Sequence, residues 1–199
     1  MFRFFESIAL IDGIPRNLDY HQDRVDRTFA NYYPSHVPIN LYKIVNEAGD
    51  VKIGKQKLKV IYNETDHQTC VSSYFSRKFS KHYIVEADDF SYSFKEVNRD
   101  FFELHSMVKN QHAIFSQGGF LVDGIYSNLI FFDQRQWLTP HTYLLNGTMR
   151  QSLLDQGKIC EDEIRVVDLK RFSKFKLINA LNSFEEACEY PISAIKNIR

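Results

Sequence analysis

Cysteine is scarce in this sequence. The three present, Cys70, Cys160 and Cys188, are an odd number at wide spacings with no CxxC pair. That leaves no basis for a disulfide framework and no ligand pattern for a zinc site. A charge excess is also lacking, with 25 Lys plus Arg against 25 Asp plus Glu. The basic field that nucleic-acid binding needs is therefore missing. One local basic group, Arg77, Lys78 and Lys81, reads as a solvated loop. No apolar run approaches the roughly 18 residues of a membrane span. The opening Met1-Phe2-Arg3-Phe4-Phe5-Glu6 has no signal-peptide core. These absences lead to the expectation of a cytoplasmic protein with no nucleic-acid or membrane partner. Repeats and low-complexity segments are absent too.

What is present is ordinary for a globular chain, 44% hydrophobic and 25% charged over 199 residues. That length makes one domain or two small ones, large enough for a real core. Phe2 to Ile11 reads as a strand, Asp12-Gly13 as a hairpin turn and Pro15 to Leu18 as a return strand. A helix is expected from about Tyr20 to Tyr32, capped by Asp19 or Asn17, with Val25, Phe29 and Tyr32 on one face and Pro34 beyond its end. A second helix spans about Ile39 to Ala48, closed by Gly49-Asp50. Strands follow at Lys57–Tyr62, Thr69–Phe75 and His82–Glu86, all assigned to the first half. The second half has a helix at about Arg99–Val108 and short strands at Ala113–Phe115, Phe120–Val122, Ser127–Phe132 and Gln136–Leu138, the last broken by Thr139-Pro140. A helix at Thr148–Gln156 ended by Gly157, and strands at Glu163–Val167 and Phe175–Ile178, complete it. Short strands with interspersed helices argue for an α+β chain. The expected domains are 1–86 and 90–199.

Four constellations carry chemistry, and each has a plain structural reading when taken alone. Asp123-Gly124 before Asn128 puts an acid at the mouth of an apolar strand, where a charge must be paired; it also reads as a hairpin turn. Gly147-Thr148-Met149-Arg150 opens a helix whose first N–H groups suit an anion; it also reads as a simple loop-to-helix junction. His21 and Arg24 stand on the first turns of a helix, where an Arg can fork onto a phosphate or make a surface salt bridge. Lys95, just past the aromatic Phe90 to Phe94 stretch, suits imine chemistry if desolvated; otherwise it is one solvated lysine among many.

Their order along the chain resembles the class IV aminotransferases, the fold-type IV pyridoxal-phosphate enzymes. Phe5-Glu6-Ser7-Ile8, Asp12-Gly13 and His21 with Arg24 are similar to that family's opening, and Asp123-Gly124 with Ser127-Asn128, Thr139-Pro140 and Gly147 with Arg150 to its second half. The likeness spans about residues 4 to 182, and residues 35–90 match in outline only. It implies two small α/β domains like those of D-amino-acid aminotransferases, with pyridoxal 5'-phosphate in the cleft between. Lys95 then stands where the family has its Schiff-base lysine, and Arg24 where it has the phosphate-binding arginine. Asp123 takes the place of the acid facing the pyridine nitrogen, where most members carry Glu. Thr148 and Met149 offer main-chain N–H groups to the phosphate, and Met149 replaces a usual threonine. Ala180 is a further cofactor contact.

Within the family, Met149 before Arg150, the Asn179-Ala180-Leu181 stretch and Lys95 with Asn98-Arg99 resemble the aminodeoxychorismate lyases. The resemblance gives Ser7 a catalytic place beside Lys95, and Ser7 and Asn179 contact with a small-molecule substrate. It implies conversion of 4-amino-4-deoxychorismate to 4-aminobenzoate and pyruvate, with transamination of a branched-chain or D-amino acid as the alternative and a homolog without catalysis as a third. A homodimer is expected. The family's leading strand is expected to have no counterpart here. Its substrate-carboxylate arginines have none in residues 60–75, where Tyr62, Asn63 and Tyr74 stand.

Overall fold

Alternating side chains build the first sheet. The computed structural model describes residues 1–49, 53–106 and 110–196. In it Phe4–Ile11 (β1) turns through Asp12-Gly13 into Ile14–Pro15 (β2). Both turn residues have positive φ, 49° and 85°, the backbone that a two-residue hairpin needs and that Asp-Gly tolerates. β1 also pairs antiparallel along its length with Lys55–Tyr62 (β3), and β3 with His67–Ser73 (β4). Period-2 alternation puts Phe4, Glu6, Ile8 and Leu10 of β1 on one buried face with Gln56, Leu58, Val60 and Tyr62 of β3.

Two helices cover that face. Leu18–Tyr32 (α1) brings Val25 and Phe29, and Leu41–Glu47 (α2) brings Leu41 and Ile44. Each such buried side chain contributes roughly 1.5–3 kcal/mol. α1 ends before Pro34 as expected. At its start Asn17 takes the left-handed conformation and its side chain makes no cap bond. α2 does have a side-chain cap, with Asn40 Oδ1 accepting from the Lys43 N–H at 3.0 Å. Asp50, expected to help close α2, lies outside the described residues.

The second sheet is built on a parallel pair, Lys81–Glu86 (β5) and Gln111–Gln117 (β6). The expectation that placed His82–Glu86 in the first half is thus corrected: the strand exists, but its ladder is with β6. Beyond β6 the order continues through Phe120–Gly124 (β7), Ser127–Phe132 (β8), Trp137–Pro140 (β9) and Cys160–Asp162 (β10). Lys174–Ile178 (β11) pairs with β8 and with Glu189–Pro191 (β12), and Ile195–Lys196 (β13) pairs with β5. Two helices accompany this sheet, Asp100–Leu104 (α3) and Thr148–Asp155 (α4). α3 is shorter than the expected Arg99–Val108, whose last residues, Met107 and Val108, lie outside the described residues.

Two further expectations fail. Thr139-Pro140 does not break a strand; both residues lie in β9, with Pro140 opposite Asp162 at the end of a parallel ladder, a position where the missing N–H is tolerated. Glu163–Val167 is not a strand either. Val166–Arg171 winds into 3-10 turns, with Asp168 Oδ2 accepting from the Arg165 N–H. The chain forms two compact units, Met1–Phe75 with Phe94–Asn98, and Ser76–Ser93 with Arg99–Arg199. No helix among the described residues is long and apolar enough to cross a membrane.

Candidate active site

In the first unit the unusual feature is Glu6. It occupies an inward position of β1 and is fully buried, beneath α1. Arg24 Nε donates to Glu6 Oε1 at 2.8 Å and Nη2 to Oε2 at 2.5 Å, while His21 Nδ1 lies 2.5 Å from Oε2. His21 and Arg24 reach the same carboxylate because they are three apart on α1. Burial alone would push the Glu6 carboxyl up, but the Arg24 charge and the bonds from Arg24 and His21 outweigh it and hold the group at about 2. Burial pushes the His21 imidazole down against the pull of Glu6. Arg24 is thus an oriented, permanently charged fork.

Lys95 lies in the same unit, on an irregular segment stitched to β1. The Phe5 N–H donates to Lys95 O at 3.0 Å, Val97 N–H to Arg3 O at 2.7 Å, and Phe4 bridges Glu96. The Lys95 ammonium lies 4.7 Å from the centroid of the Phe5 ring. Ser7 follows Phe5 on that face of β1, one alternation along and about 7 Å away. Glu6, and with it Arg24, belongs to the opposite face. Ser7 and the ring that carries the Lys95 ammonium therefore share one side of this sheet, while the Lys95 charge is also felt by His21 beside Arg24 and helps push that imidazole down.

In the second unit Asp123 is the next-to-last residue of β7 and is buried. Asn128 stands opposite it in the β7–β8 ladder, and its Nδ2 donates to Asp123 Oδ1 at 2.7 Å. The Leu144 and Leu145 N–H groups donate to Oδ2 at 3.0 and 2.8 Å. Burial pushes the Asp123 carboxyl up, and these bonds oppose it, leaving the group at about 7. Asn128 also touches the start of α4. A Cβ on Gly147 would lie 1.9 Å from Asn128 Oδ1, so only glycine lets the helix begin there. Thr148 and Met149 open α4 with the positive end of its dipole. The Met149 side chain packs into a cluster with Ile130, Leu153 and Ile178, which accounts for an apolar residue at this position. Arg150, also buried, donates to Pro140 O at 3.0 Å and to Glu161 at 2.5 Å.

Asn179 and Ala180 follow β11 in a tight turn. Asn179 Oδ1 accepts from the Leu181 N–H and its Nδ2 donates to Tyr126 O, both at 2.9 Å. Asn179 thereby fixes the tip of the β7–β8 hairpin, and Ala180 is half-buried beside it. Ser7, Arg24 and Lys95 belong to the first unit; Asp123, Thr148, Met149, Asn179 and Ala180 belong to the second. The Glu6 role was missed from sequence, although a signal existed: an acid at an inward position of an alternating strand must have a partner. Among the described residues no cluster of His, Cys, Asp or Glu is set to hold a metal.

A family model described as amino-transferase class IV matches residues 3–190. An uncharacterized protein of Haemophilus influenzae is 30% identical over 188 residues, covering 92% of this chain and 99% of its own length. A solved structure from Haemophilus somnus, described as a "putative 4-amino-4-deoxychorismate lyase", is also 30% identical; it superposes with a TM-score of 0.86 over 92% of this chain and 98% of that one. A Mycobacterium tuberculosis "hypothetical aminotransferase" in its PLP-bound form is 16% identical, with a TM-score of 0.76 over 100% of this chain and 82% of that one, and so shares the fold.

Proposed function

The chain belongs to the class IV aminotransferases, a family of pyridoxal-phosphate enzymes with the fold-type IV architecture, and on that premise we propose that it is a lyase converting 4-amino-4-deoxychorismate into 4-aminobenzoate and pyruvate. The observation that carries the lyase reading is the shared face of Ser7 and the Phe5 ring: a hydroxyl one alternation along β1 from the ring that supports the Lys95 ammonium. The description of the Haemophilus somnus structure, 30% identical along nearly the whole chain, points the same way.

Support for pyridoxal 5'-phosphate as the cofactor comes from Asp123. Burial raises the proton affinity of Asp123, and main-chain and Asn128 donors hold the carboxyl in place; a ring nitrogen set against it would take up the proton and face a carboxylate. Arg24, with Thr148 and Met149 at the head of α4, would supply cation and N–H donors to the phosphate, and Ala180 an apolar contact. Glu6 and His21 act through Arg24 as positioning residues. When bound, the cofactor supplies a sink for the electron pair released at the carbon beside the substrate amine. Lys95 takes the proton from that carbon, Ser7 relays it, and Asn179 orients the substrate end through the hairpin tip. The ring carbon–oxygen bond to the enolpyruvyl group breaks, the relayed proton ends on that group's methylene carbon to give pyruvate, and an aromatic amine remains whose stability drives the reaction. We further read the two compact units as the two domains, and the protein as a cytoplasmic homodimer acting on a small molecule.

The test is direct. Cofactor-loaded protein should release pyruvate from aminodeoxychorismate with no keto acid added. Ser7→Ala should lower turnover by about a hundredfold, the low end of acid–base assistance, without altering cofactor absorbance. If the loaded protein instead consumes an amino donor only when a keto acid is present, and leaves aminodeoxychorismate untouched, the lyase reading ends and the transaminase reading takes its place.

A further inference from the structure

Tyr126 stands at the tip of the β7–β8 hairpin and is 42% exposed. Two guanidinium groups converge on that ring, with Cζ of Arg99 at 5.0 Å and Cζ of Arg77 at 5.6 Å from its centroid. Arg99 is firmly held. Its Nη2 donates to Ile125 O at 2.6 Å and its Nη1 to the Tyr92 hydroxyl at 3.2 Å, and it also covers Phe102 at 4.3 Å. Arg77 is exposed and follows Ser76, whose Oγ bonds Asn182 Oδ1 at 3.0 Å. Asn182 and Asn179 belong to the one turn after β11, and Asn179 anchors Tyr126 from behind. One corner of the second unit thus holds Arg99 and the Tyr126 backbone, and brings Arg77 to the same ring.

The charge of this pair is not cancelled. Among the described residues neither arginine has a carboxylate partner, and the oxygens that Arg99 bonds are neutral. Bringing two like charges to one side chain costs energy, which the negative face of the tyrosine ring offsets only in part. An arrangement of this kind is completed by an anion. Tyr126 is three residues from Asp123, so their α-carbons lie within about 11 Å of each other, and the pair gathers on the hairpin that carries Asp123.

We propose that Arg77 and Arg99, gathered on Tyr126, bind the carboxylates of the substrate, and that the site selects dicarboxylates over monocarboxylates. The identity of the substrate rests on the lyase reading; the dianion preference does not. Arg77 is the discriminating half, because its fork is presented to solvent while Arg99 is partly engaged with the chain. Arg77 also changes meaning in this light, from part of a solvated basic loop to a specificity residue.

Benzene-1,3-dicarboxylate and benzoate are suitable unreactive probes, titrated calorimetrically into cofactor-loaded protein. The dianion should bind at least about tenfold more tightly than benzoate, since a charge-assisted fork is at stake. Arg77→Ala should remove about tenfold of that affinity, Arg77→Lys should restore part of it, and added salt should weaken it. In turnover, Arg77→Ala should raise KM by about tenfold with kcat within about twofold, the sign of lost binding rather than lost chemistry. Equal affinity for the two probes, or unchanged dianion affinity in Arg77→Ala, overturns the proposal even if the protein is an active lyase. Arg77-dependent dianion binding in a protein that leaves aminodeoxychorismate untouched upholds it and ends the lyase reading.

Discussion

Two lysines bring an ammonium to the Phe5 ring, Lys95 at 4.7 Å and Lys59 at 5.2 Å, so a reagent arriving on that face has a choice of amines. Lys59 is directly opposite Ser7 and fixed in β3 by ladders on both sides. Lys95 is on the irregular segment, tied to β1 by a few main-chain bonds, which leaves its backbone freer to adjust as the amine changes partners. Borohydride reduction of the loaded protein should therefore fix the cofactor on the peptide containing Lys95 and leave the Lys59 peptide unmodified. Peptide mapping decides it: an adduct on Lys59 would move the imine role to β3, and Lys95→Ala should show no adduct at all. A single lysine carries no local mark of its role in the sequence, because a solvated lysine and an imine-forming one have the same neighbours in one dimension. Lys95 is legible only through the order of the other motifs. Asp123 is legible in part, as an acid leading an apolar strand that also reads as a hairpin turn; the hairpin is there, and the structure gives the acid the buried donors that such a position demands.

The start of α4 is the element on which the second unit's half of the proposed site depends. Gly147 lets Asn128 come close enough to bond both Asp123 Oδ1, at 2.7 Å, and Leu145 O, at 3.0 Å. Gly147→Ala would push a methyl group onto Asn128 Oδ1 and force that side chain away. Losing these buried bonds should destabilise the protein by about 1–3 kcal/mol and weaken cofactor binding, both read from denaturant midpoints and cofactor titration. Asn128→Ala should cost a similar amount. The double variant should cost little more than either alone, because the clash and the lost bonds are one event; strictly additive losses would show that Gly147 acts elsewhere. The helix and its stop at Gly157 were readable in the sequence from the apolar spacing and the glycine. The clash with Asn128 was not, since it joins elements 19 residues apart, Asn128 and Gly147. The strands that escaped reading are β10, β12 and β13. All are two or three residues long, too short to display a period of 2.

At the scale of the whole chain, the least legible feature is that Phe94–Asn98 returns to the first unit. Those residues do so through main-chain bonds to Arg3 and Phe5, which no side-chain pattern announces. The α+β class was legible because short alternating strands recur throughout. The second unit also carries a balance of buried titratable groups that sets its response to acid. His82 and His112 face each other across the β5–β6 ladder. Neither His82 ring nitrogen, nor Nδ1 of His112, has a hydrogen-bond partner among the described residues. Burial pushes His82 down to about 4, and burial with the nearby His82 pushes His112 to about 3, from an ordinary 6.5. Such groups bind protons more readily when unfolded, so their contribution to stability is present above the ordinary value and lost as pH falls. Asp123, raised from 3.8 to about 7, works in the opposite sense: its contribution is lost as pH rises through about 7. Between about pH 5 and 6 the unfolded state holds two extra protons on the imidazoles and lacks one on the carboxyl. The stability of the cofactor-free second unit should therefore rise with pH by about 1.4 kcal/mol per unit, one net proton, and level off near neutrality. The sole tryptophan, Trp137, lies in this unit, and its fluorescence during urea unfolding follows the relevant transition. Asp123→Asn removes the opposing proton and should steepen the slope to about two protons' worth, while His82→Phe, which suits the aromatic surroundings of Phe79, Phe175 and Tyr190, should bring it near zero. Equal slopes in the three proteins would mean that these buried groups do not govern the acid response.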